Sequence, residues 1–203
     1  MSRQKRDILF LYRLFNMENN TILIVSGLPR SGTSMMMQMI AKSGITILTD
    51  ELRVADHSNP KGYYEFEPVK SLAKDNSWMD QAQGKCVKII AQLLPFIRKE
   101  FQYKVIYMDR NLDEVLKSQN VMLGKGDQPV NPVIADVFKK QVASVTKFLQ
   151  ESPNIETLTI NYRESIEDPA GVAKKVAAFI GKPEMEETMS AAVSKDLYRN
   201  KIG

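Results

Sequence analysis

A strand, a tight loop and a helix start follow one another in residues 21–42, and this succession constrains the fold more than any other feature of the sequence. Residues 21–26 form an apolar run typical of a buried strand, and the loop Gly27-Leu-Pro-Arg-Ser-Gly-Thr-Ser34 then leads into a helix pattern. The loop keeps the G-x-x-x-x-G spacing of nucleotide phosphate loops, whose backbone amides and helix N-terminus bind an anion. Thr33 stands where those loops carry lysine, and the nearest cation is Arg30. The sequence therefore predicts a phosphate-binding loop with a chemistry other than ATP or GTP hydrolysis.

Strands and helices alternate along the rest of the chain. Predicted strands cover 21–26, 45–48, 86–90, 103–108 and 155–160, and predicted helices cover 32–43, 91–100, 112–123, 133–150 and 171–180. This alternation predicts a three-layer α/β fold of the phosphate-loop type, with a central, mainly parallel sheet of about five strands flanked by helices. We expect a single domain over residues 1–203, with 1–19 as an N-terminal helical extension. In such folds ligands bind beyond the carboxyl ends of the strands.

Charge and cysteine content narrow the class of partner. Lys and Arg number 28 against 24 Asp and Glu, an excess that suits an anionic ligand but lacks the clustering of a nucleic-acid-binding surface. No apolar run approaches the roughly 20 residues that span a bilayer, so we expect no stable membrane insertion. The single cysteine excludes an internal disulfide framework and is typical of the cytoplasm. No cluster of His, Cys and Asp indicates a metal site.

The phosphate loop resembles the 5′-phosphosulfate loop of sulfotransferases that use 3′-phosphoadenosine 5′-phosphosulfate (PAPS). The likeness is greatest to the tyrosylprotein and small bacterial branches, whose loops read P-R-S-G-T-[ST], whereas the cytosolic branch usually has lysine in place of Arg30. The resemblance implies that Arg30 reaches the sulfuryl group and the bridging oxygen of the donor. It also implies that the 5′-phosphate is held by the backbone amides of Ser31, Gly32, Thr33 and Ser34.

A second resemblance lies just after the predicted strand 103–108. Arg110 follows this strand, and Ser118 comes eight residues later, in a pattern similar to the 3′-phosphate site of the same superfamily. Eight residues are just over two helical turns, so Ser118 can lie on a helix face while Arg110 sits near the N-terminal end. A guanidinium together with a hydroxyl suits a terminal phosphate.

The acceptor must lose a proton as the sulfuryl group arrives, and this requires a base near the transfer site. In the tyrosylprotein enzymes a glutamate base and an arginine follow the phosphosulfate loop, and Glu51 and Arg53 stand at the matching positions. We rank Glu51 first as the base. Asp50 ranks second, and His57, the only histidine of the chain, ranks third.

Lys88 and the loop 59–67 are candidates for the acceptor side. Lys88 matches a lysine on the third strand of the family, which implies that it stabilises charge on the leaving phosphate, although a lysine at a sheet edge also snorkels to solvent in many folds. The loop follows the base segment and equally fits a self-packed surface loop. We expect it to border the acceptor pocket, and the candidate substrate contacts are Arg53, His57, Tyr63, Tyr64 and Glu65.

Further residues are candidates for the nucleotide. Tyr162 matches a tyrosine that ends a strand in the family, which implies contact with the adenine or its phosphate; a core aromatic residue is the alternative. Near the C-terminus we expect Arg199 or Lys201 to reach over the nucleotide, although the R-K-G-x-x-G loop of the cytosolic branch is absent.

Together these motifs predict a cytoplasmic, PAPS-dependent sulfotransferase that acts on a hydroxyl or amine of a small-molecule or peptide acceptor. The product would be adenosine 3′,5′-bisphosphate (PAP), and no metal would be needed. One alternative is a P-loop kinase or NTPase, which would require a loop lysine and a carboxylate for Mg²⁺, with Asp109 as the candidate. The other is a noncatalytic nucleotide-binding module that has lost the base. None of the motifs indicates the acceptor or the oligomeric state.

Overall fold

The fold is built on a sheet of four parallel strands. A computed structural model describes residues 21–50, 52, 62–126 and 128–193; the predicted helix at 1–19 lies outside them. The strands are β1 (Thr21–Gly27), β2 (Cys86–Lys88), β3 (Gln102–Asp109) and β4 (Ile155–Asn161), in the sheet order β2-β1-β3-β4. This order brings the carboxyl ends of all four strands to one edge.

Helices cover both faces of the sheet. They are α1 (Thr33–Lys42), α2 (Leu112–Met122), α3 (Pro132–Glu151), α4 (Tyr162–Glu167), α5 (Pro169–Phe179) and α6 (Glu186–Ser190). Short 3-10 helices lie at Glu67–Ser71, Ser77–Ala82, Ala91–Phe96 and Pro183–Met185. Successive residues of β1 point to opposite faces, so Ile22 and Ile24 join one core cluster while Leu23 and Val25 join the other. The predicted three-layer α/β fold is confirmed. No helix within the described part of the chain is both long and apolar enough to cross a membrane.

The predicted count of about five strands is one more than the described residues contain, because 45–48 does not form a strand. Ile47 forms an isolated parallel bridge with Cys86, whose amide and carbonyl bond to Thr46 and Leu48. Beyond this point the Thr49 hydroxyl donates to the Glu65 carbonyl, which draws the chain away from β2. The ladder therefore ends after one bridge.

The predicted helix at 91–100 is also shorter than expected. It is a 3-10 helix, Ala91–Phe96, with Pro95 inside it. Proline has no N–H to donate to the carbonyl four residues earlier, so a continued α-helix is disfavoured here.

Asparagines turn the chain from strand to helix at the edge where the strands end. The side-chain oxygen of Asn111 accepts from the amides of Asp113 and Glu114 at the start of α2, and Asn161 caps α4 in the same way. Arg110 is thereby fixed in the short junction between β3 and α2. This edge also carries the phosphate loop, which follows β1.

Candidate active site

The backbone of the phosphate loop requires glycine at two positions. Gly32 has φ +100°, and a Cβ there would lie 2.4 Å from Cδ2 of Tyr162. A Cβ on Gly27 would lie 2.4 Å from the Ser31 hydroxyl and 2.7 Å from the Met108 carbonyl oxygen. The loop therefore packs closely against the end of β3 and against α4, and side chains larger than hydrogen would open it.

The N-terminus of α1 is suited to bind an anion. Gly32 is its N-cap and provides no side-chain cap, the first turn contains no acidic residue, and the amides of Thr33 and Ser34 lack intrahelical acceptors. The hydroxyl of Ser31 is buried and has no hydrogen-bond partner among the described residues. The Ser31 amide was predicted to bind the phosphate. It donates instead to the Leu28 carbonyl at 3.0 Å within the turn. The remaining donors and the orphaned hydroxyl fit a phosphate group.

Arg30 is held across the site by α2. Its Nε donates to the hydroxyl of Ser118 at 3.0 Å, and Ser118 is 2% exposed. Arg30 itself has φ +76°, a left-handed conformation that is uncommon for a residue other than glycine. The two motifs that the sequence assigns to opposite ends of a nucleotide thus meet in one place.

Arg110 is buried at the same junction. Its Nε donates to a carboxylate oxygen of Glu114 at 2.9 Å, and its Nη1 donates to the Arg30 carbonyl at 3.0 Å. The guanidinium carbon lies 4.3 Å from the ring centroid of Tyr162, a cation–π contact. Tyr162 therefore contacts both the Arg110 side chain and the loop glycine Gly32.

Lys88 contacts residues that were predicted for the acceptor side. It ends β2 opposite Val25, and its buried ammonium donates to the Tyr63 carbonyl and lies 3.5 Å from a carboxylate oxygen of Glu65. Tyr64, between them, has φ +51°. The strand-end lysine and the 62–67 segment therefore form one cluster at the β2 side of the edge.

Asp50 serves a structural purpose in this geometry. One of its carboxylate oxygens accepts from the amide of Leu52 at 3.1 Å, and the other accepts from the amide of Glu67. Both oxygens thus accept from backbone N–H groups, and these bonds tie the chain at residues 50–52 to the start of the 3-10 helix at Glu67. The other predicted site residues, Glu51, Arg53, His57, Arg199 and Lys201, lie outside the described residues.

The model of the sulfotransferase domain family matches residues 20–201. The chain belongs to the sulfotransferase family. Among solved structures, sulfotransferase STF9 from Mycobacterium avium has a TM-score of 0.53 and 12% identity, over 92% of this chain and 71% of that one. The sulfotransferase domain from the curacin biosynthetic pathway has a TM-score of 0.43 and 13% identity, over 86% of this chain and 83% of that one. No curated protein matches the chain at a significant level.

This sulfotransferase is a transferase, and its reaction is the transfer of a sulfuryl group. The family match favours this reaction over the kinase or NTPase and over the noncatalytic module. The family generally uses PAPS as the sulfate donor.

A cleft of about 410 Å³ opens beside the phosphate loop of the sulfotransferase. Residues that line it include Leu28, Tyr107, Arg110 and Lys139. Burial, with a smaller contribution from the charge of Asp109, raises the pKa of Tyr107 to about 12. The phenol is neutral at physiological pH, as an ordinary tyrosine is.

Sequence reasoning missed two residues of this site, Glu114 and Gln119. Glu114 binds Arg110, and the Gln119 side chain donates to the Pro29 carbonyl at 3.3 Å. The four-residue spacing from Arg110 to Glu114 was a weak signal, because residues at that separation are neighbours on a helix, but Arg110 lies in the junction before α2. Gln119 had no signal, since polar residues on a helix usually face water.

Proposed function

We propose that this sulfotransferase takes PAPS as its donor and binds the two anionic ends of that molecule with Arg30 and Arg110. The observation that carries the proposal is the convergence of both arginines on the phosphate loop, where Arg110 donates to the Arg30 carbonyl and Arg30 donates to Ser118. A guanidinium at each end matches a ligand that carries one phosphate on the 3′ side and a phosphosulfate on the 5′ side.

At the 5′ end, the amides of Gly32, Thr33 and Ser34 would hold the phosphate at the start of α1. The buried Ser31 hydroxyl would add a donor. At the 3′ end, Arg110 and Ser118 would hold the terminal phosphate, with Tyr162 packed against the Arg110 guanidinium. Arg199 would complete the nucleotide site from outside the described residues.

When bound, the donor supplies the sulfuryl group, whose bond to the 5′-phosphate oxygen breaks as its bond to the acceptor forms. Glu51 would accept the acceptor proton. Arg30 and Lys88 would neutralise the charge that develops on the leaving phosphate, and this preorganised charge needs no reorganisation during the step. Asp50 is a weaker candidate for the base than Glu51, because both of its oxygens already accept backbone hydrogen bonds.

The acceptor would be a hydroxyl or amine of a small molecule or peptide, bordered by Arg53, His57 and the cluster of Tyr63, Tyr64 and Glu65. The clustering of Lys88 with this segment supports the placement. We also propose a cytoplasmic enzyme that binds no nucleic acid, in keeping with one cysteine and a modest charge excess. Arginine and lysine would meet the donor charge without a metal, so EDTA should leave the rate of sulfonation unchanged.

Titration calorimetry with PAP tests the donor site. Ser118→Ala should weaken PAP binding about 10-fold, since it removes the hydroxyl that accepts from Arg30 and that would contact the 3′-phosphate. Ser144→Ala, an exposed serine on α3, is the matched control and should bind as the parent does. If the parent protein shows no binding at millimolar PAP, the proposed donor site is wrong.

A panel of hydroxyl and amine acceptors tests the base. With an active acceptor in hand, Glu51→Ala should lower kcat by about 100-fold or more while PAP affinity is kept, because general base catalysis contributes on that order. Full activity in this variant would remove Glu51 as the base and direct attention to His57.

A further inference from the structure

We infer that Glu114 and Gln119 are positioning residues of the donor site. Both lie on α2, where Glu114 holds the side chain of Arg110 and Gln119 holds the loop turn that carries Arg30. The inference rests on the proposed function. It assigns roles to two side chains that touch the arginines or the loop rather than the donor.

Glu114 fixes the plane of Arg110. Its side chain is 8% exposed, and a buried carboxylate is stable only when it is paired and hydrogen-bonded. The pairing uses the Nε–H of Arg110 at 2.9 Å, while Nη1 donates to the Arg30 carbonyl at 3.0 Å. Because the guanidinium is planar, two fixed N–H groups set its orientation. The stack on Tyr162 covers one face.

Gln119 fixes the turn of the phosphate loop. Its amide nitrogen donates to the Pro29 carbonyl at 3.3 Å, and Arg110 donates to the next carbonyl, that of Arg30. Arg30 has φ +76°, a conformation that persists only where its surroundings support it. The strained residue Arg30 is therefore held on both sides. Gln119 binds the carbonyl that precedes it, and Arg110 binds its own carbonyl.

The two positioning residues act on different ends of the donor. Glu114 acts on Arg110, which faces the 3′-phosphate in the proposed function, whereas Gln119 acts on the loop that faces the 5′-phosphate. The ratio of affinities for PAP and for adenosine 5′-monophosphate (AMP), which lacks the 3′-phosphate, isolates the first effect. A purely structural residue would lower the melting temperature without changing this ratio.

Removing the Glu114 carboxylate has two opposite consequences. It raises the positive potential at Arg110, which tightens phosphate binding, and it releases the guanidinium, which weakens binding. Glu114→Gln keeps an oxygen that can accept from Nε and so isolates the charge. Glu114→Leu removes both the charge and the acceptor.

Calorimetry with PAP and AMP on folded variants tests the role of Glu114. Glu114→Leu should lower the PAP to AMP affinity ratio about 10-fold, whereas Glu114→Gln should keep the ratio at or above that of the parent. Asp113→Asn, an exposed carboxylate one residue earlier on α2, is the control and should match the parent. A Glu114→Leu variant with the parental ratio would overturn this role, as would equal tightening in both Glu114 variants.

The same measurements test Gln119. Gln119→Leu should weaken PAP and AMP together by about 10-fold and leave their ratio unchanged, because the loop binds the phosphate that both ligands share. Asn120→Leu, whose amide donates to the Gln128 carbonyl instead, should bind both ligands as the parent does. Parental affinities in Gln119→Leu would overturn its role.

The parent protein separates this inference from the function on which it rests. A parent that binds PAP alongside variants that bind equally well refutes the positioning roles alone. A parent that does not bind PAP refutes the donor assignment and the positioning roles with it.

Discussion

Single residues at the phosphate loop carry two different constraints, conformation and space. Arg30 and Gly32 both have positive φ, but only Gly32 is also pressed against another side chain, that of Tyr162. Elsewhere Gly181 has φ +75° and open space around its Cα. Alanine at Gly181 would therefore measure backbone strain alone, whereas alanine at Gly32 would measure strain together with steric overlap.

Gly32→Ala should lose about 10-fold or more in PAP affinity, because the added methyl meets the Tyr162 ring and displaces the amides that follow. Gly181→Ala should cost about 1–2 kcal/mol of stability through backbone strain alone and leave PAP binding unchanged. Calorimetry and thermal unfolding of both variants check this. Equal PAP affinity in the two variants would mean that the contact between Gly32 and Tyr162 does not shape the site.

Cys86 is a buried thiol in the centre of the sheet. It is 0% exposed, and burial raises the pKa of its thiol well above the ordinary value. Because the thiolate is the reactive form, the native protein should not react with a thiol-specific reagent at pH 8, and one thiol should react after unfolding. The raised pKa stabilises the fold below the pKa of the unfolded thiol, and this stabilisation is lost as the pH rises through the folded value. Rapid labelling of native protein would contradict the placement.

Among the elements, α2 does the most to organise the site. Its cap, Asn111, accepts from two amides, and its buried positions include Glu114 and Ser118. Helix α3 begins in the same way, with Asn131 accepting from the Val133 amide, but it carries none of the predicted site residues. The two caps form a matched pair.

Asn111→Ala and Asn131→Ala should each lower the free energy of unfolding by about 1 kcal/mol, the usual cost of losing a side-chain cap. Asn111→Ala should also weaken PAP binding, because fraying of the first turn of α2 loosens Glu114 and Arg110. Chemical denaturation and calorimetry provide the two measurements. Unchanged PAP affinity in Asn111→Ala would show that the first turn does not position the arginine.

The sequence predicted long and strongly patterned elements, but not those decided by tertiary contacts. All four strands and the helices α1, α2, α3 and α5 were predicted, because an apolar run or a helical apolar spacing marks each of them. The segment 45–48 has a strand pattern, yet the bonds of Thr49 and Asp50 to the Glu65 carbonyl turn it away. At 91–100 the sequence itself contains the reason for the shorter helix, because Pro95 cannot donate the hydrogen bond that a continued α-helix needs.

At the scale of the whole molecule, the carboxyl ends of the four strands lie at one edge of the sheet, and this topology brings distant motifs together. Arg30 and Ser118 are 88 residues apart in sequence and 3.0 Å apart in space. Parallel strands bring the residues that follow them to one edge. The bond between Arg30 and Ser118 itself was not predicted, because the sequence assigns these residues to different ends of the donor. The ion pair of Glu114 and the bond of Gln119 depend on side-chain directions within α2, which no residue pattern specifies. The roles of these side chains toward the donor stay predictions.

A ligand that binds the folded protein at the carboxyl ends of the strands, and does not bind the unfolded chain, should stabilise the whole domain. PAP at about 100 times its Kd should raise the free energy of unfolding by about 2.7 kcal/mol, which corresponds to about 5–10 °C in Tm for a domain of this size. AMP at the same concentration should give a smaller shift, because it lacks the group proposed to meet Arg110. Thermal unfolding with each ligand checks this, and equal shifts would argue against a 3′-phosphate site.

The anchoring of Tyr63 and Glu65 on the Lys88 ammonium sets a boundary for loop grafting. An engineer who exchanges residues 53–61 for those of another sulfotransferase leaves this buried attachment intact and changes only what precedes it. A graft that extends past residue 62 replaces two partners of Lys88, the residue that ends the edge strand β2. Libraries aimed at new acceptors should therefore be spliced ahead of Tyr63, so that the attachment of Tyr63 and Glu65 to Lys88 is kept.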